Sequence, residues 1–357
     1  MEYSFGDILE IKNGRNQKTV ENPNGRYPIY GSGGVMGYAD DYICEPNTVI
    51  IGRKGNINNP IFVSECFWNV DTAFGLQAKR DKLNPMYLYY FCRRFDFEKL
   101  NKTVTIPSLT KADILKVKIN LPGLKEQESV VDKLLNVERI IDDRKKELEQ
   151  FDFLIKARFV EMFGDQEKNE LGWYQTTIGS CCTLKSGTSL SAEIENEGGT
   201  IPYIKVGDMN YPGNERYITT SSRFVTKETA GSGIFPVGTI MFPKRGGAIG
   251  TNKKRMTTLP VCADLNVMGV FSDGGLLPEY LMTFFEMIDL GELDNGSSVP
   301  QINNKDITPL IICVPPVEEQ ERFAVFTKQV DKSKVAIQKS LDETQLLFDS
   351  LMQEYFG

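Results

Sequence analysis

Apolar residues three and four positions apart run through two long stretches of this chain. The first follows Val130, Leu134, Val137, Ile141, Arg144, Leu148, Phe151, Ile155, Arg158 and Met162, eight of ten apolar. The second follows Phe323, Thr327, Val330, Lys334, Ile337, Leu341, Thr344, Phe348, Leu351 and Tyr355, seven of ten apolar. Alternating three-four spacing over four heptads predicts a coiled-coil seam in each of two helices, starting near Leu124 and near Val317. Mismatches in one stretch meet apolar residues at the equivalent place in the other, as Arg144 does with Ile337 and Arg158 with Leu351. Pairing of the two helices with each other is favoured over each lying on its own domain, because neither of the β-rich fronts that precede them calls for so long an apolar stripe, and antiparallel pairing would put the two fronts at opposite ends. Leu134, Ile141, Leu148 and Ile155 on one helix, with Val330, Ile337, Leu341 and Phe348 on the other, are the expected contact positions.

Outside these stretches the pattern changes to short strand-like runs broken by glycine, asparagine and proline. Thr48-Val49-Ile50-Ile51 and Thr239-Ile240-Met241-Phe242 read as equivalent buried strands, each followed by a basic turn, Arg53-Lys54-Gly55 and Lys244-Arg245-Gly246. Helices are expected from Pro85 to Phe95 and from Pro278 to Ile288, where proline suits the first turn. Thr110-x-x-Asp113 and Asn303-x-x-Asp306 look like capped helix starts.

These pairings belong to a duplication. Pro107 recurs as Pro300, Asp113-Ile114 as Asp306-Ile307, Glu126-Gln127-Glu128 as Glu319-Gln320-Glu321, and Phe163-Gly164 as Phe356-Gly357, all 193 positions apart. Lys12-Asn13-Gly14 matches Lys185-Ser186-Gly187 at 173, so the second copy carries about twenty extra residues before Thr239. A period this long is domain duplication rather than a solenoid. The expected fold is α+β, with two β-rich domains (residues 1–120 and 165–314) separated by two long helices (121–164 and 315–357) that pair as an antiparallel coiled coil.

Composition narrows the chemistry. Histidine is absent, which excludes triads and metal sites that need imidazole. No Gly-Lys dipeptide exists, so a P-loop is impossible. Gly31-Ser32-Gly33-Gly34-Val35-Met36-Gly37 nearly spells a dinucleotide loop but places Met36 where the third glycine belongs, and reads better as a turn or phosphate-contacting loop. Asn59-Pro60-Ile61-Phe62 faintly resembles an amino-methyltransferase motif but lacks a glycine-rich cofactor strand before it. Glu10-Ile11-Lys12 lacks the upstream partner of a nuclease motif. Seven scattered cysteines suit a reducing cytoplasm, and neither a signal peptide nor a membrane span is expected.

The plan of variable β-rich domain, Leu121-Pro122 before Glu126-Gln127-Glu128, and a long helix ending Phe159-Val160-Glu161-Met162-Phe163-Gly164, all repeated, resembles the specificity subunit of type I restriction-modification systems. Within the first front, Tyr27-Pro28-Ile29-Tyr30-Gly31-Ser32-Gly33-Gly34, Ile51-Gly52-Arg53-Lys54-Gly55, Phe67-Trp68 and Asp71-Thr72 are similar to one class of its target recognition domains. The second front has Ile201-Pro202-Tyr203-Ile204-Lys205-Val206-Gly207-Asp208 in place of the glycine motif. The resemblance implies a non-catalytic subunit that reads a bipartite target on double-stranded DNA. It also implies two methylation subunits binding S-adenosylmethionine, and restriction subunits using ATP and Mg. No cofactor is expected on this chain. A stand-alone DNA-binding regulator is the alternative.

Charge complicates this picture. The chain carries −7 overall, opposite to the usual footprint of a DNA binder. Residues 1–120 carry +3, however, and cations bunch in turns. The DNA-contacting candidates are Tyr30, Gly31, Ser32, Gly33, Gly34, Arg53 and Lys54 in the first copy, with Lys205, Lys244, Arg245, Lys253 and Lys254 in the second. Glycine beside a cation lets backbone and guanidinium approach phosphate or a guanine edge closely.

Overall fold

The computed structural model describes residues 1–103, 105–195, 198–293 and 299–357. It separates into two units, one formed by Met1–Lys145 with Gln338–Gly357 and the other by Lys146–Ile337. Each long helix therefore gives one half to each unit.

In the first unit, β1 (Leu9–Asn13), β2 (Tyr27–Gly31), β3 (Gly34–Ala39), β4 (Thr48–Gly52), β5 (Ile61–Val63), β6 (Trp68–Asn69) and β7 (Ala73–Ala78) precede helix α1 (Pro85–Arg94). An antiparallel sheet has the order β1-β7-β4-β5, and a second has the order β3-β2-β6. The β-branched run of β4 is buried along its whole length, as expected of a central strand. Asn84 caps α1 by accepting from the backbone N–H groups of Met86 and Tyr87 at 2.8 and 3.3 Å, with Pro85 at the first helical position.

The second unit repeats this plan with β8 (Cys182–Ser186), β9 (Ile201–Ile204), β10 (Tyr217–Ile218), β11 (Phe224–Val225), β12 (Ile240–Pro243), β13 (Arg255–Thr257), β14 (Cys262–Ala263), β15 (Val267–Ser272) and α2 (Pro278–Glu286). Its sheets have the orders β8-β15-β12-β13-β10 and β11-β9-β14. The edge strand β10, parallel to β13, comes from the extra residues of the second copy.

The long helices span Leu124–Phe163 and Val317–Phe356, so both starts fall where the spacing put them. Their first turns show why Glu-Gln-Glu repeats. Gln127 is fully buried; its Oε1 accepts from Asn84 N at 2.8 Å, and its Nε2 donates to the carbonyls of Lys82 and Pro122, each at 2.9 Å. Gln320 does the same with Leu277 N at 2.8 Å and the carbonyls of Gly275 and Pro315 at 2.8 and 2.9 Å. One amide side chain thus fastens each helix to the chain entering α1 or α2, with its polar atoms satisfied.

Within each unit the helix halves run antiparallel. Lys133 Nζ reaches Tyr355 Oη at 3.4 Å in the first unit, and Lys334 reaches Asp152 at 2.6 Å in the second. Every seam position is buried or half-buried: Leu134, Ile141, Ile155, Val330 and Phe348 are buried, and Leu148, Ile337 and Leu341 half-buried. The deepest positions do more than pair. Val130, Leu134 and Val137 enter the core of their own copy's domain, whereas Ile155, Phe159 and Phe163 enter the core around α2. Phe348 and Met352 likewise enter the core around α1. Phe163 meets Tyr280 edge-on at 4.8 Å, and its repeat Phe356 meets Tyr87, the repeat of Tyr280, at 4.8 Å. Such a contact stabilises by about 0.5–1.5 kcal/mol beyond the area it buries. Each helix ends as a core element of the opposite copy, a role the seam alone did not reveal.

Candidate nucleic-acid interface

One short stretch of chain gathers the first copy's candidates. β6 lies parallel to β2 with Tyr30 opposite Asn69, and the following Val70 N–H donates to Tyr30 O at 3.0 Å. Arg15 N–H donates to Asn69 O at 2.8 Å, and Arg53 N–H to Thr72 O at 2.8 Å. Residues 69–72 thus tie together the end of the β2–β3 hairpin, the turn after β1 and the basic turn after β4. Gly14 is obligatory here, because a Cβ on it would lie 1.8 Å from Val70 O.

Tyr30 is half-buried and packs edge-on against Phe67 at 5.4 Å; burial raises its hydroxyl pKa. Gly31 is buried, Ser32 half-buried and Gly33 exposed at the tip, while Gly34 takes a φ of +118° that disfavours a side chain. Arg53 is exposed, with its guanidinium 5.8 Å from the Phe74 ring centre and Nη1 3.4 Å from Asp71 O. Lys54 is exposed beside it. The segment Ile106–Leu109 runs along this turn, with Gly55 N–H donating to Pro107 O at 3.0 Å and Leu109 N–H to Arg53 O at 2.9 Å.

The second copy rebuilds this frame by nearly the same bonds. Asp264 N–H donates to Ile204 O at 2.9 Å, Thr188 N–H to Ala263 O at 2.8 Å, and Lys244 N–H to Asn266 O at 2.9 Å. Gly246 N–H donates to Pro300 O at 2.8 Å and Ile302 N–H to Lys244 O at 2.9 Å, and both Gly55 and Gly246 have φ of +76°. Gly187 meets Ala263 O as Gly14 meets Val70 O, with a Cβ 2.1 Å away. Lys205, Lys244 and Arg245 therefore occupy the places of Gly31, Arg53 and Lys54.

Their side chains are differently engaged. Lys205 Nζ lies 2.5 Å from Glu195, which also meets Arg223 at 3.5 Å. Lys244 donates to Ser186 Oγ at 2.8 Å, and burial lowers its pKa. Arg245 is exposed and reaches Gln301 Oε1 at 3.4 Å. Lys253 donates to Asn210 Oδ1. Lys254 corrects the expectation of an outward-facing cation: it is 5% exposed, and its ammonium donates to Ile288 O and Asn252 Oδ1, each at 2.6 Å. The end of α2 holds it, not the basic turn after β12.

Sequence reasoning passed over the exposed apolar residues of the first hairpin. Val35, Met36 and Tyr38 are 53%, 63% and 47% exposed, directly after the glycine turn. Their signal was a strand without period-two alternation beside a tip glycine. Among the described residues no cluster could hold a metal ion, and no helix is long and apolar enough to cross a membrane.

With this geometry in place, the chain can be compared with known proteins. The family model described as type I restriction modification DNA specificity domain matches twice, at residues 1–150 and 170–344. A putative type I restriction enzyme specificity subunit of Haemophilus influenzae is 22% identical over 84% of this chain and 79% of its own length. A type I restriction enzyme MjaIX specificity subunit of Methanocaldococcus jannaschii is 21% identical over 85% and 73%. The crystal structure of the S subunit from M. genitalium covers 100% of this chain and 96% of its own, with a TM-score of 0.60 at 16% identity. A structure described under complex assembly and conformational transition of the type I R-M system gives 0.62 at 17%, covering 100% and 97%. These structural likenesses concern the fold.

Proposed function

This chain belongs to the type I restriction modification DNA specificity domain family, and from that premise we propose that it is the non-catalytic reader of a bipartite, asymmetric target on double-stranded DNA. The observation that carries this reading is the single backbone frame, held by matching hydrogen bonds in both copies, that presents two unlike sets of side chains. In the first half-site Arg53 and Lys54 approach a base edge or phosphate, and the tip from Tyr30 to Gly34 enters close to the duplex. In the second half-site Lys244 and Arg245 take the equivalent place, with Lys205 beside them. Phosphate contacts position such a protein and base contacts specify it.

The helices act as the spacer between readers, since 40 residues at 1.5 Å each span about 60 Å. They also position two methylation subunits, and restriction subunits join the same complex. S-adenosylmethionine, ATP and Mg belong to those partners, and this chain binds no cofactor. A cytoplasmic location follows from that role. The related structure described under complex assembly supports placing this chain in such an assembly.

The test exchanges residues 1–120 for another such domain, co-expresses the chimera with the methylation subunits and sequences the methylome. One half of the methylated motif should change while the other stays intact. Changes in both halves would remove the idea of independent readers.

A further inference from the structure

Beside the end of α2, the second unit holds a cleft of about 400 Å³, walled by both long helices, the residues before β10 and the turn leading into β13. Its charges are of two kinds. One kind is neutralised: Lys334 lies 2.6 Å from Asp152, and Arg216 sits between Glu286 and Asp331 at 2.7 and 3.7 Å. The other kind is not. Lys156, Lys253, Lys254 and Arg255 line the same cleft, and among the described residues none of them lies within 4 Å of a carboxylate, although Glu215 at the cleft wall and Glu286 act on Arg255 from farther off.

What these cations do touch is neutral. Lys254 spends two of its three donors on Ile288 O and Asn252 Oδ1, and Arg255 donates to Lys254 O at 2.8 Å and Met209 O at 3.3 Å. Lys253 bonds Asn210 Oδ1. Like charges gathered in a partly buried place raise the energy of the folded chain unless an anion joins them. Burial pushes the Lys254 ammonium down to about 8, with Lys156 adding repulsion and Asp289 and Glu286 offsetting part of it. Burial also lowers Arg255.

The first copy supplies an internal contrast. The matching place beside the end of α1 is lined by Arg93, Arg94, Phe348, Asp349, Met352 and Gln353. At the repeat distance of 193, Lys156 corresponds to Asp349 and Lys334 to Ile141. The cluster of unpaired cations is therefore an addition made by one copy.

We propose that this cleft binds a phosphate group, carried either by a nucleic-acid backbone or by a free phosphate compound. Several N–H donors suit an anion that presents oxygens in several directions. Of the three carboxylates lining the cleft, Asp152 and Glu286 are engaged by Lys334 and Arg216, and Glu215, exposed and accepting from Gly213 N–H at 3.0 Å, acts on Arg255 without an ion pair, so the cations still outnumber the acids. The site stands without the DNA-reading proposal; only its nucleic-acid source rests on it.

The experiment measures thermal unfolding of the whole chain at neutral pH, in sodium phosphate and in sodium chloride of equal ionic strength. Phosphate should raise the midpoint by about 2–4 °C more than chloride. The double variant Lys156→Ala/Lys253→Ala should lose that increment, and Lys332→Ala, an exposed position on the second long helix, should keep it. The increment is a difference, so altered basal stability cancels. Equal midpoints in the two salts for the parent chain, or an increment that survives the double variant, would overturn the site. Binding to a random-sequence DNA duplex then identifies the source. A salt dependence shallower by about two phosphate contacts in the double variant assigns the DNA backbone. An unchanged slope beside a lost phosphate increment assigns a free phosphate compound.

Discussion

The two units solve one packing problem with different charges. Where α1 meets the first long helix, Arg93 pairs directly with Glu138, and Tyr90 Oη donates to the same carboxylate at 2.5 Å. At the repeat positions the second unit has Glu286 and Asp331, two acids. Arg216, which immediately precedes the extra strand β10, enters between them and binds both, while Tyr217 Oη donates to Asp331. An insertion in one copy has supplied the cation that a helix supplies in the other. The backbone frame tolerates such replacement because it is held by main-chain bonds; side-chain chemistry is solved again locally in each copy.

The sharpest way to break this comparison is Arg216→Ala. It leaves two largely buried carboxylates without their cation, and losing one partner of such a group costs about 3–5 kcal/mol. The sign with pH is fixed. Burial raises the folded pKa of Glu286 above its usual value, and Arg216 pulls it down. The stabilisation contributed by its protonated form is therefore present at low pH and lost as pH rises through the folded value. Without Arg216 that value rises further, so urea unfolding should show a smaller penalty in mild acid than at alkaline pH. A penalty independent of pH would contradict the bridging role.

A smaller and equal pair of effects is expected from Gln127→Ala and Gln320→Ala. Each orphans a buried backbone N–H and two carbonyls, costing about 2 kcal/mol in urea unfolding. Unequal losses would show that the two joints are alike only in geometry. Arg53→Ala/Lys54→Ala should cost about 1–3 kcal/mol in target binding and relax preference in one half-site only. The charge-matched control is Lys145→Ala/Lys332→Ala, measured in the assembled methyltransferase. The smallest effect belongs to Arg93→Ala, about 1 kcal/mol in urea unfolding, because this pair is a third exposed and part of its value is stacking on Tyr89, Tyr90 and Phe348.

Much of this architecture was legible from spacing alone. The repeat distance located both helix starts, because proline and the buried glutamine sit at fixed offsets from the seam, and the matching strand runs at 48–51 and 239–242 located both basic turns. The antiparallel pairing was expected because neither β-rich front calls for so long an apolar stripe of its own, and within each unit the helix halves do run antiparallel. The destination of each helix end was not expected, since a three-four stripe says that a face is buried and not what buries it. Phe163 and Phe356, repeated beyond the last seam position, were the only hint. Lys254 was misplaced for a related reason: a run of three cations looks uniformly exposed, yet the turn into β13 sends Lys254 inward beneath Ile288 O, with Met256 buried two residues on. Lys205 matched a position correctly, but its pairing with Glu195 crosses ten residues that no local pattern links.

The glutamine joint has an implication for how such a protein diversifies. Gln127 and Gln320 recognise only peptide groups of the domain they hold, never a side chain. At this joint a front's side chains can therefore be rewritten, or a foreign front received by recombination, with the glutamine unchanged, so the compensating changes fall on the helix positions that do meet the front's side chains, Val130, Leu134, Val137 and Glu138 in the first copy.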